Sequence, residues 1–480
     1  MRTPRSLTPL LGTTVVAAAI VFGACTSTGK PTGTPGSMRP ALSAPPATTR
    51  PAASADPNAN LPAAVVLVGR PGSSGLELIE VQTGQPLMDV PFGATDATWH
   101  RLVTATADAT KTTVSDLAGD GSFAGPSVEL VGRWRMPTIG TDRMPAGVSA
   151  DGSTIALVPA DAGTAGAAAT ATAASQFAIV RHLDGGQPTR DPTAALKLAT
   201  VIELPGAFDF DAISPDGAIL YVVEHLKGEA GAYEVRAVDV ASGRLRDGAI
   251  VDKRNLGEAM AGWPVGQVRR SDGVVLTLYR GTEHPFVHAL NTADAWAVCI
   301  DLPAVNGSDA TAADWGLAAR ADDRNVYAIN ATLGLAAEID ATDLVVKRTA
   351  MLKTADSGPG SGALASTSLG SAGPASIELA KFGHDGVGPA GRVVVSPDGT
   401  TVWAAGSTGI VAIATKDLAV SRRMLAGTAV DGIAVAPDGS AIFALVRNGG
   451  HIVALDPSTG RSLGTMPGGG YDRLLAAAPW

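Results

Sequence analysis

Aromatic residues are scarce in this chain, with 7 Trp, 5 Tyr and 9 Phe among 480 residues, while Gly and Pro are plentiful at 57 and 32. A long coiled coil or helical bundle does not tolerate so many backbone breakers, and the balance points to many short strands joined by turns. Cysteine is almost absent: the two thiols, Cys25 and Cys299, cannot build a disulfide framework. Basic residues are outnumbered 36 to 45 by acidic ones and never cluster into a run that would neutralise phosphates, which excludes nucleic acid as a partner. No Gly-rich phosphate loop, paired-Cys metal motif or nucleophile elbow occurs. The sequence therefore states an architecture and an address more clearly than a reaction.

The address lies at the start. Arg2 and Arg5 form a positive head, residues 10–23 are apolar but short of the ~20 residues a membrane span needs, and Ala24 precedes Cys25. This is a secretory signal layout over residues 1–24. Phe22, Gly23, Ala24 and Cys25 resemble the lipobox of bacterial lipoproteins, with Phe22 where that pattern carries an aliphatic residue. The resemblance implies that Cys25 is lipidated and becomes the mature N-terminus, anchoring an extracytoplasmic protein to the membrane. Loss of Arg2 and Arg5 with the signal moves the formal charge from −9 to −11. Cys299 would then be the remaining thiol, in an apolar stretch without a neighbouring His, and it reads as inert. Residues 25–61, rich in Pro, Thr, Ser and Ala, cannot bury enough apolar surface to fold; they read as a tether with a reach on the order of 35 Å.

From residue 62 onward the chain repeats itself. In residues 431–466, a short apolar strand meets a turn at Pro437, Asp438 and Gly439. A second strand runs to Val446, a third follows Asn448, Gly449 and Gly450, and a fourth follows the turn at 457–460. Gly supplies the positive φ and Pro the preset φ that such reversals need. Four strands in about 40 residues is one propeller blade. The turn recurs at Ser214, Pro215, Asp216, Gly217 and at Ser396, Pro397, Asp398, Gly399, with weaker copies at 149–152, 271–273, 321–323 and 99–101. Residues 471–479 read as an unaccompanied first strand, and residues 63–68 and 75–82 as second and third strands without a first. The reading is an all-β β-propeller of eight four-stranded blades, with seven as the alternative. The C-terminal strand pairs with the N-terminal strands to close the ring and remove the open edge. Two stretches exceed the repeat, residues 160–176 between strands and 354–374 between blades, and both read as loops.

The Ser/Ala, Pro, Asp, Gly turns and the Asp, x, x, Thr/Ser, Gly turn at 456–460 resemble the YVTN or YncE-type β-propellers of extracytoplasmic bacterial proteins. The Ala- and Gly-rich composition with the lipobox is similar to actinobacterial lipoproteins. The resemblance covers residues 62–480. It implies the fold, and it implies functions that range from surface binding proteins to lactonase-like enzymes.

Candidate sites follow from the repeat. First strands line a propeller's channel, so Asp209 and Asp431, each seven residues before a turn Asp, with Asp96, Asp314 and Asp472 near the equivalent place, mark its mouth. Converging carboxylates would hold a hard divalent cation such as Ca²⁺; the alternative is that each Asp serves its own loop. No cofactor is required by the sequence. The polar connection containing Asp252, Lys253, Arg254 and Glu258 beside Trp263 is the second candidate, for an anionic or sugar-like ligand; Arg133, Trp134 and Arg135 occupy a comparable connection. His284 and His288 are four apart, but on a strand they stand ~13 Å apart and cannot share one zinc. Glu224 and His225 point to opposite faces. The expectation is a monomeric, membrane-anchored binding or scaffold module for a protein, wall or small-molecule ligand. The alternative is a metal-dependent lactonase-like hydrolase with its site at the channel mouth.

Overall fold

The structure, a computed structural model, describes residues 60–71, 75–91, 101–105, 110–116, 125–140, 144–160, 174–191, 193–227, 231–254, 260–281, 284–303, 314–352 and 390–479. Residues 1–59, read above as signal and tether and including Cys25, lie outside them, as do Asp96, Glu258, most of 160–176 and all of 354–374. All elements among the described residues are β-strands, and nearly all run in antiparallel meanders. Phe208–Ile213, Ile219–His225, Ala232–Asp239 and Arg244–Leu245 form one blade; Met260–Arg269, Val274–Gly281, Phe286–Asn291 and Trp296–Asp301 form the next. Trp315–Ala319, Asn325–Asn330, Leu335–Asp340 and Val345–Met351 follow, then Val393–Val395, Thr401–Gly406, Gly409–Ala414 and Val420–Met424. Val430–Val435, Ile442–Val446, His451–Leu455 and Ser462–Thr465 complete the series. Upstream lie a sheet of Arg101–Ala105, Lys111–Asp116 and Ser127–Val131 and a sheet built on Thr154–Pro159, Ser175–Asp184 and Ala195–Leu204.

Arg473–Pro479 pairs antiparallel with Ala64–Gly69, which continues into Gly75–Glu80 and Pro86–Pro91. The partners run from Ala64 with Pro479 to Gly69 with Arg473. This is the pairing of the two ends that the orphan first strand calls for. Among the described residues, most neighbouring sheets share an apolar core between their facing sides. Leu276, Leu278 and Val287 pack with Leu317, Val326 and Ala328; Trp403 and Ala412 pack with Ile433 and Val453; Phe443 and Ile452 pack with Val66, Ile79 and Ala477. Successive sheets stacked face to face through shared cores are a β-propeller, and each buried Val, Leu or Ile contributes about 1.5–3 kcal/mol.

The repeated turn has a local cause. Ser214 Oγ donates to Asp216 Oδ1 at 2.7 Å and accepts from the Ile219 amide at 2.9 Å, while Asp216 accepts from the Ala218 amide at 3.0 Å. Ser149 with Asp151, and Ser396 with Asp398, repeat the arrangement. The serine hydroxyl, and then the loop amides, hold Asp216 and Asp398 below the usual carboxylate range. Gly217 closes the turn at φ 67, where its amide donates to the Ser214 carbonyl at 2.9 Å. Arginines then stitch blades together at these ends: Arg181 donates to the Gly217 carbonyl, Arg422 to that of Pro457 at 2.7 Å, and Arg348 to that of Lys416 at 2.6 Å.

A Cβ at Gly217 would stand 2.1 Å from Thr154 Oγ1 of the preceding sheet, whereas one at Gly185, also at positive φ, meets nothing within 4 Å. Gly217→Ala is therefore expected to destabilise by about 2–4 kcal/mol, combining backbone strain with a clash, and Gly185→Ala by only about 1 kcal/mol. Thermal unfolding of the two variants checks this; equal losses would contradict it.

Candidate functional site

In an antiparallel blade the start of the first strand, the end of the second and the start of the third lie at one edge, so the first-strand acids stand beside second-strand ends. Asp209, second in its strand, meets His225 at the end of the next, with Oδ2 and Nε2 2.7 Å apart. Asp431 accepts from Arg447 Nε at 2.7 Å in the same relation. In both pairs the acid and its partner stand eight residues either side of the turn glycine, Gly217 or Gly439. Asp314 pairs with Arg392 Nη1 of the following blade at 3.3 Å, and Asp472 with Arg473 Nε at 3.0 Å. Arg135, whose pKa burial lowers, has that drop opposed by the charge of Asp209. Each of these four aspartates thus faces an arginine or histidine side chain. No group of three or more His, Cys, Asp or Glu able to hold a metal gathers among the described residues.

Sequence reasoning found these acids but not their partners. The signal was available for Asp209 and Asp431, since the residue eight past the turn glycine is His225 in one blade and Arg447 in the other. It was not available for Asp314, whose partner lies across a long insertion.

The second candidate set divides between the two sides of a sheet. Asp252 accepts from the Arg254 amide at 2.7 Å and the Cys299 amide at 2.9 Å, and it bridges to Ala297 in parallel register. Lys253 Nζ lies 4.2 Å from the Trp296 ring centroid, and Arg254 donates to the Leu344 and Asp343 carbonyls at 2.7 Å. Asp252 and Lys253 therefore hold the segment against the outermost strand, Trp296–Asp301, whose unpaired edge it covers, while Arg254 reaches the turn at 343–344 of the following blade. Trp263 belongs to the innermost strand, Met260–Arg269, where it faces Arg280 across the pair, with the guanidinium 4.9 Å from its ring centroid. Cys299 is only half-buried. His284 engages Asp301 at 2.8 Å, and His288 is fully buried on the strand Phe286–Asn291 with its pKa pushed down to about 4 by desolvation. Glu224 turns away from His225 to Arg236 Nη1, 2.6 Å away.

Asp211 was not anticipated. A bulge between Phe210 and Ala212 makes it the extra residue of its strand. The bulge sets it in the interior, where Gln267 Nε2 donates to its backbone carbonyl at 3.1 Å and its Oδ2 has no hydrogen-bond partner among the described residues. Burial raises its pKa from 3.8 to about 7. The folded state thus keeps a proton that the unfolded chain releases near 3.8, so this contribution to stability is complete below that pH and is lost as pH rises through about 7. Between pH 5 and 8 the wild type is expected to lose about 2–3 kcal/mol relative to Asp211→Asn. Denaturant unfolding at both pH values measures it, and parallel curves for the two proteins would contradict it.

No protein-family model matches the chain, and no curated protein does. Among solved structures it is similar to apo AztD from Citrobacter koseri, at 12% identity and a TM-score of 0.47 over 86% of this chain and 98% of that one. It is similar to the periplasmic gluconolactonase PpgL of Pseudomonas aeruginosa at 16% identity and a TM-score of 0.41, over 87% and 99% of the two chains. Dihydro-heme d1 dehydrogenase NirN in complex with DHE matches at 13% identity and 0.45, over 90% and 77%. The β-propeller class of this protein rests on its own strand pairing and shared cores.

Proposed function

We propose that the chain is a lipid-tethered, extracytoplasmic β-propeller of eight blades that binds a wall polymer or protein at the channel mouth. The observation that carries this reading is the pairing of the mouth acids with basic side chains, three of them arginines: Asp209 with His225, Asp314 with Arg392, Asp431 with Arg447 and Asp472 with Arg473. A guanidinium ~4 Å from a divalent ion repels it by about 2 kcal/mol even at the dielectric of water, and by more near a protein surface. The same partly exposed pairs are worth only about 0.2–1 kcal/mol each, so their donors and acceptors are readily re-directed to a polar ligand. A rim that offers both donors and acceptors suits recognition of an extended polar surface.

The test is co-sedimentation of metal-free protein with isolated cell-wall polymer or a purified envelope protein. Binding is expected in wild type, with a loss of about tenfold or more when Asp431 and Arg447 are exchanged for Lys and Glu together with Asp209→Lys. Stoichiometric calcium or zinc, with lactone turnover that disappears in Asp209→Ala and Asp431→Ala, would replace this reading with the hydrolase one. For the tether, Cys25→Ser is expected to release the protein from the membrane fraction; unchanged retention would contradict the lipid anchor.

A further inference from the structure

Two blades place an arginine at the end of the second strand against an aromatic ring at the mouth. In the blade formed by the chain ends, Arg70 lies over Tyr471, 4.6 Å from the ring centroid. Its fork is filled by one carboxylate, with Nε donating to Glu77 Oε1 at 2.6 Å and Nη2 to Oε2 at 3.0 Å. In the 260–301 blade, Arg280 lies over Trp263 at 4.9 Å. The strand registers make the two corners comparable. Val68, two residues before Arg70, is opposite Glu77, and Leu278, two residues before Arg280, is opposite Val287. The place of the carboxylate is thus taken by an aliphatic side chain, and Arg280 has no hydrogen bond or ion pair among the described residues. Asp209, which stands two residues before the bulge of its strand and engages a second-strand end, has Trp263 as its counterpart here.

We propose that the Arg280 guanidinium, stacked on Trp263, is a subsite for a carboxylate group carried by the ligand, which would take the role that Glu77 plays toward Arg70. The proposal rests on the mouth-binding reading and names the chemistry of the group recognised. Stacking fixes the guanidinium plane and leaves its edge to donate two parallel N–H bonds, the geometry that a planar carboxylate accepts. Charge assistance makes such a fork about twice as strong as neutral hydrogen bonds. The blade that supplies it has no carboxylate of its own at that register.

The experiment is arginine-specific modification of the full chain with phenylglyoxal, mapped residue by residue by mass spectrometry, with sodium glucuronate, glucose or inorganic phosphate present. Arg280 is expected to react faster than Arg70, whose fork Glu77 fills. Glucuronate is expected to slow the reaction at Arg280 by about tenfold while glucose leaves it unchanged. Calorimetric glucuronate binding is expected to vanish in Arg280→Gln, and to weaken in Arg280→Lys, which keeps the charge but not the fork, with both variants unfolding at the wild-type temperature. Absence of protection by glucuronate, or protection by phosphate alone, would overturn the proposal. So would an Arg280 that is already protected without ligand and becomes reactive in Glu283→Gln, since Glu283 stands three residues further along the chain. If wall polymer is captured equally by wild type and Arg280→Gln, this subsite is wrong and the mouth reading stands. If no polymer or protein is captured yet glucuronate protects Arg280, the mouth reading fails and the subsite stands.

Discussion

The pairing of Ala64–Gly69 with Arg473–Pro479 is the constraint on which the other features depend. A sheet stacked between two neighbours can bury both faces, but the first and last sheets of an open row would each leave a face and an edge to solvent. Here the end strands share one sheet, and that sheet packs on the preceding blade through Val66, Ile79, Phe443, Ile452 and Ala477. Small residues at 476–478 let this strand lie flat against its partners, with all three almost completely buried. The first-strand acids then owe their positions to strands whose registers this arrangement holds.

Much of the repeat was legible because its parts have local causes. A serine that can bond forward to an aspartate and to the strand amide, followed by a glycine that accepts positive φ, forms a turn wherever it occurs, and 149–152, 214–217 and 396–399 all behave so. Even where the glycine is replaced, Asp323 takes φ 55 and its amide still donates to the Arg320 carbonyl at 2.9 Å. The strands read at 63–68, 75–82 and 471–479 form within two residues of those limits, as Ala64–Gly69, Gly75–Glu80 and Arg473–Pro479. The loop read over 160–176 is shorter than expected, since the third strand starts at Ser175.

The site was legible only in part, for reasons that are tertiary. Acids at the mouth can be read from their distance to a turn, but a bulge depends on the register of the facing strand, so nothing local distinguishes Asp211, turned inward, from Asp209, turned to His225. Asp252, Lys253 and Arg254 look like a ligand-binding loop because they are polar and sit between blades. Their role as a cover for the outer strand depends on Cys299, Ala297 and Leu344, far along the chain. Arg280 carries no local mark at all: what sets it apart from Arg70 is the residue across the strand pair, Val287 in place of Glu77, which only the registers of the two blades reveal.

Hydrogen exchange on the intact chain and on one ending at Asp472 tests the central claim most directly. The account requires that amides of 64–69 and 75–80, and then those of the 430–465 blade, lose protection together when the last strand is removed. If those segments kept the protection they have in the intact chain, the ends would not be joined in one sheet and the ring, with its mouth, would be the wrong description.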